Sequence, residues 1–220
     1  IGLGISAPVR ADSYDCDGGS NPVPARVTGD LRITPTSDCT ISHDVTATGT
    51  IFITAPSLTI EGLTSPASVF ISASNGALTA HGNISGDSIS INNNRDGAAT
   101  ETQELTAVHD VFVETSAGIH THAITSDSGA VLLLSVLTGD VKVDGDINAD
   151  GYVYVSSRHV LKIDGNVIST TSGGTQLLGG DDVSVKNITS SGRKATWILR
   201  QTRTEERVPS LSVELVPQMA

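Results

Sequence analysis

An internal repeat of about 20 residues constrains the fold of this chain more than any other feature of its sequence. Residues 44–51 and residues 146–153 match in side-chain character at every position. From Val45 onward, an apolar anchor recurs after steps of 18, 21, 21, 19, 23, 20 and 21 residues. The anchors are Val45, Leu63, Ile84, Leu105, Ile124, Ile147, Val167 and Ile188. One such unit is too short to bury its own apolar face, so the repeat predicts units that stack on each other.

Two apolar triplets follow most of the anchors, and their alternation is typical of half-buried strands. The first triplet occurs in six repeats, as Ile51 and Ile53, Val69 and Ile71, Ile89 and Ile91, Val111 and Val113, Val131 and Leu133, and Val153 and Val155. The second is evident in five repeats, as Leu58 and Ile60, Leu78 and Ala80, Val141 and Val143, Leu161 and Ile163, and Val183 and Val185. Gly62, Gly82, Gly145 and Gly165 then close four of the repeats as turn residues.

A third column, two residues after each anchor, contains only small residues. It consists of Ala47, Ser65, Gly86, Ala107, Ser126, Ala149, Ser169 and Ser190. In stacked coils these positions meet at an inner corner, where only small side chains fit. The columns together predict an all-β fold, a right-handed parallel β-helix of about eight coils of 18–23 residues over residues 44–192. At a spacing of about 4.8 Å, such coils form a rod roughly 40 Å long.

The repeat unit reads [DNG]-[IVL]-[TSN]-[ASG], then V-x-V, then L-x-I-x-G. It resembles the repeats of filamentous-haemagglutinin-like adhesins and related bacterial surface β-helices, over about residues 44–192. The resemblance implies an exported, surface-attached module without catalytic activity.

The N-terminal residues carry signs of export. Residues 1–11 are interpreted as a signal-peptide remnant, because Val9 and Ala11 satisfy the small-x-small rule for cleavage. An ordinary flexible terminus is the alternative. The chain has two cysteines, Cys16 and Cys39, and an even count after an export signal predicts one disulfide in an oxidising compartment. Two unpaired buried thiols are the other possibility.

Both ends of a β-helix need caps, because an open coil exposes a sheet edge. Residues 12–43 contain the two cysteines and are predicted to form an N-terminal cap. Residues 193–220 leave the pattern and are predicted to be a C-terminal cap or tail, in which Trp197, Ile198 and Leu199 form a last strand.

The charge and hydropathy of the chain exclude two classes of partner. The net charge is -11, so a nucleic acid would be repelled. The sequence also contains no apolar stretch of the roughly 18 residues that a membrane span requires.

The middle residues of the first triplet form an outward column, because side chains alternate in direction along a strand. The column reads Phe52, Phe70, Ser90, Phe112, Leu132 and Tyr154, and it contains every Phe of the chain. We call its apolar members Phe52, Phe70, Phe112, Leu132 and Tyr154 the apolar stripe. An exposed stripe marks a contact surface for a cell-surface glycan, a protein or a second copy of the chain. Coverage of the stripe by the C-terminal tail is the alternative.

One segment has the spacing of a calcium loop. Asp146, Asn148 and Asp150, followed by Gly151, fit its first half, but Ser157 stands where such a loop has a bidentate Glu. The equivalent residues 44–51 keep the repeat with threonines at the ligand positions, so repeat variation explains the motif. No cofactor is therefore expected, and calcium at these three residues is kept as an alternative.

Two further groups carry reactive side chains. Gly180-Asp181-Asp182 resembles the paired acids of polygalacturonases, which are β-helix enzymes, but the Gly-His-Gly and Arg-x-Lys motifs of that family are absent from the sequence. The acids are therefore interpreted as turn residues before a strand. His120 and His122 would point to one face of a strand and could share a metal. No acidic partner is evident nearby, so they are interpreted as part of a solvated turn.

These observations predict a secreted or cell-surface structural and adhesive module without catalysis. One alternative is a β-helix that binds or degrades polysaccharide, and another is an architectural spacer of a larger exported protein. An enzyme of this class usually builds a groove from long loops, and coils of 18–23 residues leave little material for one.

Overall fold

The computed structural model describes residues 12–93, 98–170 and 174–191, and within these ranges the chain forms β-strands and no helix. None of the described residues therefore belongs to a helix of the length and apolar character needed to cross a membrane. The signal-peptide interpretation of residues 1–11 and the predicted strand at Trp197 lie outside the described residues.

Most strands are short, with two to five residues, and only β22 and β24 are longer. They are β1 (Asp12–Ser13), β2 (Arg26–Val27), β3 (Leu31–Ile33), β4 (Cys39–Ile41), β5 (Val45–Ala47), β6 (Ile51–Ala55), β7 (Leu58–Ile60), β8 (Leu63–Thr64), β9 (Val69–Ala73), β10 (Leu78–Ala80), β11 (Ile84–Gly86), β12 (Ile89–Asn93), β13 (Thr100–Glu101), β14 (Leu105–Ala107), β15 (Val111–Thr115), β16 (Ile119–Thr121), β17 (Ile124–Ser126), β18 (Val131–Ser135), β19 (Val141–Val143), β20 (Ile147–Ala149), β21 (Val153–Ser157), β22 (Val160–Ser169), β23 (Thr175–Gly179) and β24 (Asp182–Ser190).

Parallel pairing arranges the strands in three columns along the stack. The stripe sheet has nine strands, in the order β1-β3-β6-β9-β12-β15-β18-β21-β23. The anchor column runs from β2 through β5, β8, β11, β14, β17 and β20, and the third column runs from β4 through β7, β10, β13, β16 and β19. The long strand β22 pairs with both β19 and β20, so it joins these two columns into one sheet.

Each anchor pairs with the next anchor in adjacent parallel strands, at every spacing that the sequence predicts. The pairs are Val45 with Leu63, Leu63 with Ile84, Ile84 with Leu105, Leu105 with Ile124, Ile124 with Ile147, Ile147 with Val167, and Val167 with Ile188. The all-β fold and the parallel β-helix are therefore confirmed. The register also continues before residue 44, because β3 pairs with β6 and β4 pairs with β7.

The inward side chains of the triplets fill the lumen, where most are fully buried. Two coils depart from the apolar pattern, because Thr100, Thr102 and Thr121 occupy lumen positions in the third column. Thr121 satisfies its hydroxyl by donating to the carbonyl oxygen of Gln103 at 2.9 Å. The second triplet is not recognisable in the sequence of these coils, since hydroxyl side chains replace the aliphatic ones.

Seven of the eight residues in the column of small residues lie buried at an inner corner, as the sequence predicts, and Ser190 in the last described strand is half-buried. Ala47, Ala107 and Ala149 are at most 3% exposed. Ser65 and Ser169 add a function at this corner, because their hydroxyls donate to the carbonyl oxygens of Gly49 (2.6 Å) and Gly151 (2.9 Å) in the preceding coil. A small side chain is required here for space, and serine also satisfies a buried carbonyl.

The substitution Ala107→Leu is expected to destabilise the fold by about 1–3 kcal/mol, because the larger side chain overpacks a closed corner. Urea unfolding followed by circular dichroism measures this free energy. The matched control is Val108→Leu at the neighbouring residue, which is 48% exposed, and it should change stability by less than about 0.5 kcal/mol. Equal stability of the two variants would contradict the packing argument.

Aspartates in the turns connect successive coils. Each accepts a hydrogen bond from a backbone N–H one coil further along the chain. The pairs are Asp30 with Thr50, Asp44 with Gly62, Asp110 with Ala130, Asp140 with Val160, and Asp146 with Asn166, at 2.7–3.0 Å. Part of the acidic composition therefore serves to align the turns. Gly82 marks another close approach, since a Cβ atom there would lie 2.7 Å from the backbone nitrogen of Gly62.

The predicted disulfide between Cys16 and Cys39 is confirmed, with Cα atoms 5.4 Å apart. The segment around Cys16 covers the first coil, where the Asp17 backbone N–H donates to the carbonyl oxygen of Thr40 at 2.8 Å. The Asp17 carboxylate accepts a hydrogen bond from the Ser42 backbone N–H at 2.8 Å. Hydrogen bonding to Ser42, chiefly through its side chain, lowers the pKa of Asp17. Leu31 in the first coil is fully buried.

Candidate contact surface

The apolar stripe lies in one outward row of the stripe sheet. The row pairs Phe52 with Phe70, Phe70 with Ser90, Ser90 with Phe112, Phe112 with Leu132, and Leu132 with Tyr154. Neighbours in such a row are about 4.8 Å apart, so each side chain partly covers the next. Phe70 is 41% exposed, and the other four members are half-buried. The row therefore presents partly exposed apolar side chains to solvent.

Polar partners lie at both ends of the stripe, and the sequence pattern did not identify them. The Arg32 guanidinium carbon lies 4.8 Å from the centre of the Phe52 ring, within the range of a cation–π contact. At the other end the rings of Tyr152 and Tyr154 stack with centroids 6.1 Å apart. The Tyr152 hydroxyl donates to Gln176 at 2.7 Å, and burial raises the pKa of Tyr152.

A second outward row runs beside the stripe, two residues later on each strand. It reads Thr54, Ser72, Asn92, Glu114, Leu134, Ser156 and Leu178. Its first half places hydroxyl and amide groups next to the phenylalanine rings. In its second half, Leu134 and Leu178 line an open pocket together with Tyr154 and Arg158. The surface thus combines flat apolar rings with hydrogen-bonding groups at a regular spacing.

The structure does not bring the candidate calcium ligands together. Asn148 lies in the extended strand β20, and Asp146 and Asp150 lie just before and after it. Alternate residues on a strand are about 7 Å apart, whereas a calcium loop wraps its ligands around the ion. Asp146 instead accepts hydrogen bonds from the backbone and side chain of Asn166, at 2.7 and 3.1 Å.

Of the paired acids, Asp181 lies in the bend before β24, and Asp182 is the first residue of that strand. The Asp181 carboxylate contacts His159 Nδ1 at 2.8 Å. The Asp182 carboxylate accepts a hydrogen bond from the backbone N–H of Val183 at 2.9 Å. Both residues are exposed, and each carboxylate already has a partner, which is one coil away for Asp181 and the next residue for Asp182.

The interpretation of His120 and His122 as a solvated turn was wrong in two respects, because an acidic partner is present and His120 lies in a strand, whereas His122 does lie in an exposed bend. His120 lies in strand β16, and Asp144 from the next coil lies beside both rings. The Asp144 Oδ2 atom is 2.8 Å from His120 Nε2 and 3.8 Å from His122 Nε2. Hydrogen bonds from Lys142 and His120 lower the pKa of Asp144 to about 2. The partner is distant in sequence, and only the stacking register places it there.

Comparisons with protein-family models, with curated proteins and with solved structures find no match to this chain.

Proposed function

We propose that this chain is a secreted or cell-surface structural module that attaches to a neutral glycan through the apolar stripe and has no catalytic activity. The observation that carries the proposal is the alignment of Phe52, Phe70, Phe112, Leu132 and Tyr154 in one outward row of a continuous sheet. The disulfide between Cys16 and Cys39 supports an oxidising, extracellular location.

The chemistry around the stripe favours a sugar over other partners. Aromatic rings pack against the apolar faces of sugar rings, and the adjacent hydroxyl and amide groups of Thr54, Ser72 and Asn92 can bond sugar hydroxyls. A polyanionic glycan is disfavoured, because the chain carries a net charge of -11 and Glu114 borders the stripe. A row of contacts repeated at each coil suits a polymer whose units also repeat.

The double substitution Phe70→Ser and Phe112→Ser tests this surface. We expect binding to arrayed neutral glycans to weaken at least about tenfold, because two apolar contacts are lost at the centre of the stripe. Far-UV circular dichroism checks that the β-helix persists. The matched control is Thr106→Ser and Thr125→Ser, a paired outward set on the anchor column, which should bind like the wild type.

Three results would reject the proposal. One is unchanged glycan binding by a folded Phe70→Ser, Phe112→Ser variant. Another is a wild-type chain that binds no glycan but associates with itself in a concentration-dependent way, as measured by sedimentation, while the Phe70→Ser, Phe112→Ser variant stays monomeric. The third is release of reducing ends from a polysaccharide, abolished by Asp181→Ala, which would indicate a hydrolytic enzyme instead.

A further inference from the structure

A notch interrupts the second outward row beside the end of the apolar stripe. In this row Ser156 pairs with Leu134 of the preceding coil and with Leu178 of the following coil. Neighbouring strands are about 4.8 Å apart, so the two leucines stand roughly 10 Å apart with only a serine between them. The small side chain leaves an open pocket of about 430 Å³, a volume within the range of small-molecule sites.

The pocket has an aromatic side and a cationic side, because Tyr154 and Arg158 stand two residues before and after Ser156. Tyr154 is the last apolar member of the stripe, and Gln176 follows it in the same row. On the other side, the Arg158 Nε atom donates to the carbonyl oxygen of Val136, one coil earlier, at 2.7 Å. This hydrogen bond holds the guanidinium group beside the pocket.

The positive charge of Arg158 is available to a ligand. The described part of the chain offers Arg158 no ion-pair partner. Asp181, which follows the pocket residue Gly180, contacts His159 instead, at 2.8 Å. A guanidinium whose Nε is already bonded still has its two Nη groups, and such donors suit the two oxygens of a carboxylate. The pocket therefore combines an aromatic ring, a hydroxyl and a positive charge held in place.

We propose that this pocket binds the carboxylate-bearing sugar at the end of a glycan whose neutral units lie along the apolar stripe. The Tyr154 ring packs against the apolar face of the sugar, the Ser156 hydroxyl bonds a sugar hydroxyl, and the Arg158 guanidinium binds the carboxylate. Glu114, next to Leu134 in the second outward row, would repel a further carboxylate, so the site selects one acidic sugar over a polyanion. Attachment of the neutral units rests on the proposed function, whereas the pocket is testable with a single sugar.

NMR titration of the full chain with two matched sugars tests the pocket. Methyl β-glucuronide and methyl β-glucoside differ only in carrying a carboxylate or a CH₂OH group. We expect the glucuronide to bind at least about tenfold more tightly, with shifts in the methyl resonances of Leu134 and Leu178. Arg158→Gln should lower the affinity for the glucuronide at least about tenfold and leave that for the glucoside unchanged. Ser156→Leu fills the notch and should prevent binding of both sugars, so the test remains decisive if the Arg158 variant does not fold.

Lys162→Gln is the matched control, because it also removes one positive charge. Lys162 lies on the outer face of the third column, where it pairs with Asp164 at 2.9 Å, and its variant should bind the glucuronide like the wild type. The proposal is overturned if the two sugars bind equally, or if Lys162→Gln weakens binding as much as Arg158→Gln does. Folded Arg158→Gln and Ser156→Leu variants that both bind like the wild type would also overturn it. Equally tight binding of N-acetylleucine, a carboxylate without a sugar ring, would overturn the assignment to a sugar.

Failure of the pocket and failure of the apolar stripe give different results. If arrayed neutral glycans bind and the glucuronide does not, the pocket is rejected and the stripe remains the contact surface. If the glucuronide binds and no arrayed neutral glycan does, the stripe is rejected and the pocket remains a site for an acidic sugar.

Discussion

Ile71→Asp is expected to unfold the β-helix or to remove at least about 4 kcal/mol of its stability. Ile71 is 2% exposed, and it lies in the lumen between Ile53 and Ile91 of the neighbouring coils. A carboxylate there would lose its water and gain no partner. The whole stability of a domain is typically about 5–15 kcal/mol, and a disrupted coil also separates the two halves of the stack.

The preceding residue supplies the control, because adjacent residues on a strand point in opposite directions. Phe70→Asp, on the outer surface, should cost less than about 1 kcal/mol. Ile71→Ala should cost about 2–5 kcal/mol, because it leaves a cavity without burying a charge. Urea unfolding monitored by circular dichroism ranks the three variants. A stable, cooperatively folded Ile71→Asp variant would be incompatible with a dry lumen at this coil.

Replacing both cysteines, Cys16→Ser with Cys39→Ser, is expected to lower stability by about 3 kcal/mol, because the disulfide closes a loop with a sequence separation of 23. The effect should concentrate at the N-terminal end, since each coil of a solenoid contacts only its neighbours. Hydrogen exchange should therefore accelerate in β3 and β4 and remain slow in β18 and β21.

Reduction of the wild type provides the control for this prediction. Mild reduction without substitution should reproduce the faster exchange at the first coils, and the double serine variant should not respond to the reductant. If exchange rises equally along the whole stack, the segment that contains Cys16 does not act as a local cover. If no amide changes, the first coil is held by its backbone pairing with β6 and β7 alone.

The fold could be predicted from the spacing of the anchors, because in a parallel β-helix residues that are one repeat apart in the sequence are in contact. A residue in one coil touches the equivalent residue of the next, so the spacing from Val45 to Leu63 specifies a strand pair directly. The outward direction of Phe70 follows from the same alternation. The disulfide was predictable because the chain has only two cysteines.

Hydrophobic periodicity did not detect the polar parts of the lumen. Thr100 is fully buried, although a threonine in a sequence predicts neither a lumen nor a surface position. Its burial depends on the path of the backbone around the whole coil, which the sequence pattern does not give. The hydrogen bond from the Ala130 backbone to Asp110 was equally unpredictable, because turn aspartates resemble ordinary solvated acids in a sequence.

By itself, the sequence determined the class of the fold, the register of the coils and the existence of an outward apolar row, because all three depend only on distances counted along the chain. Tertiary structure decided which side chains from different columns and coils meet, as Asp144 meets His120 and His122. The physical reason is that such contacts depend on the path of each turn in space. A turn can move a side chain by several ångströms without changing the hydrophobic period.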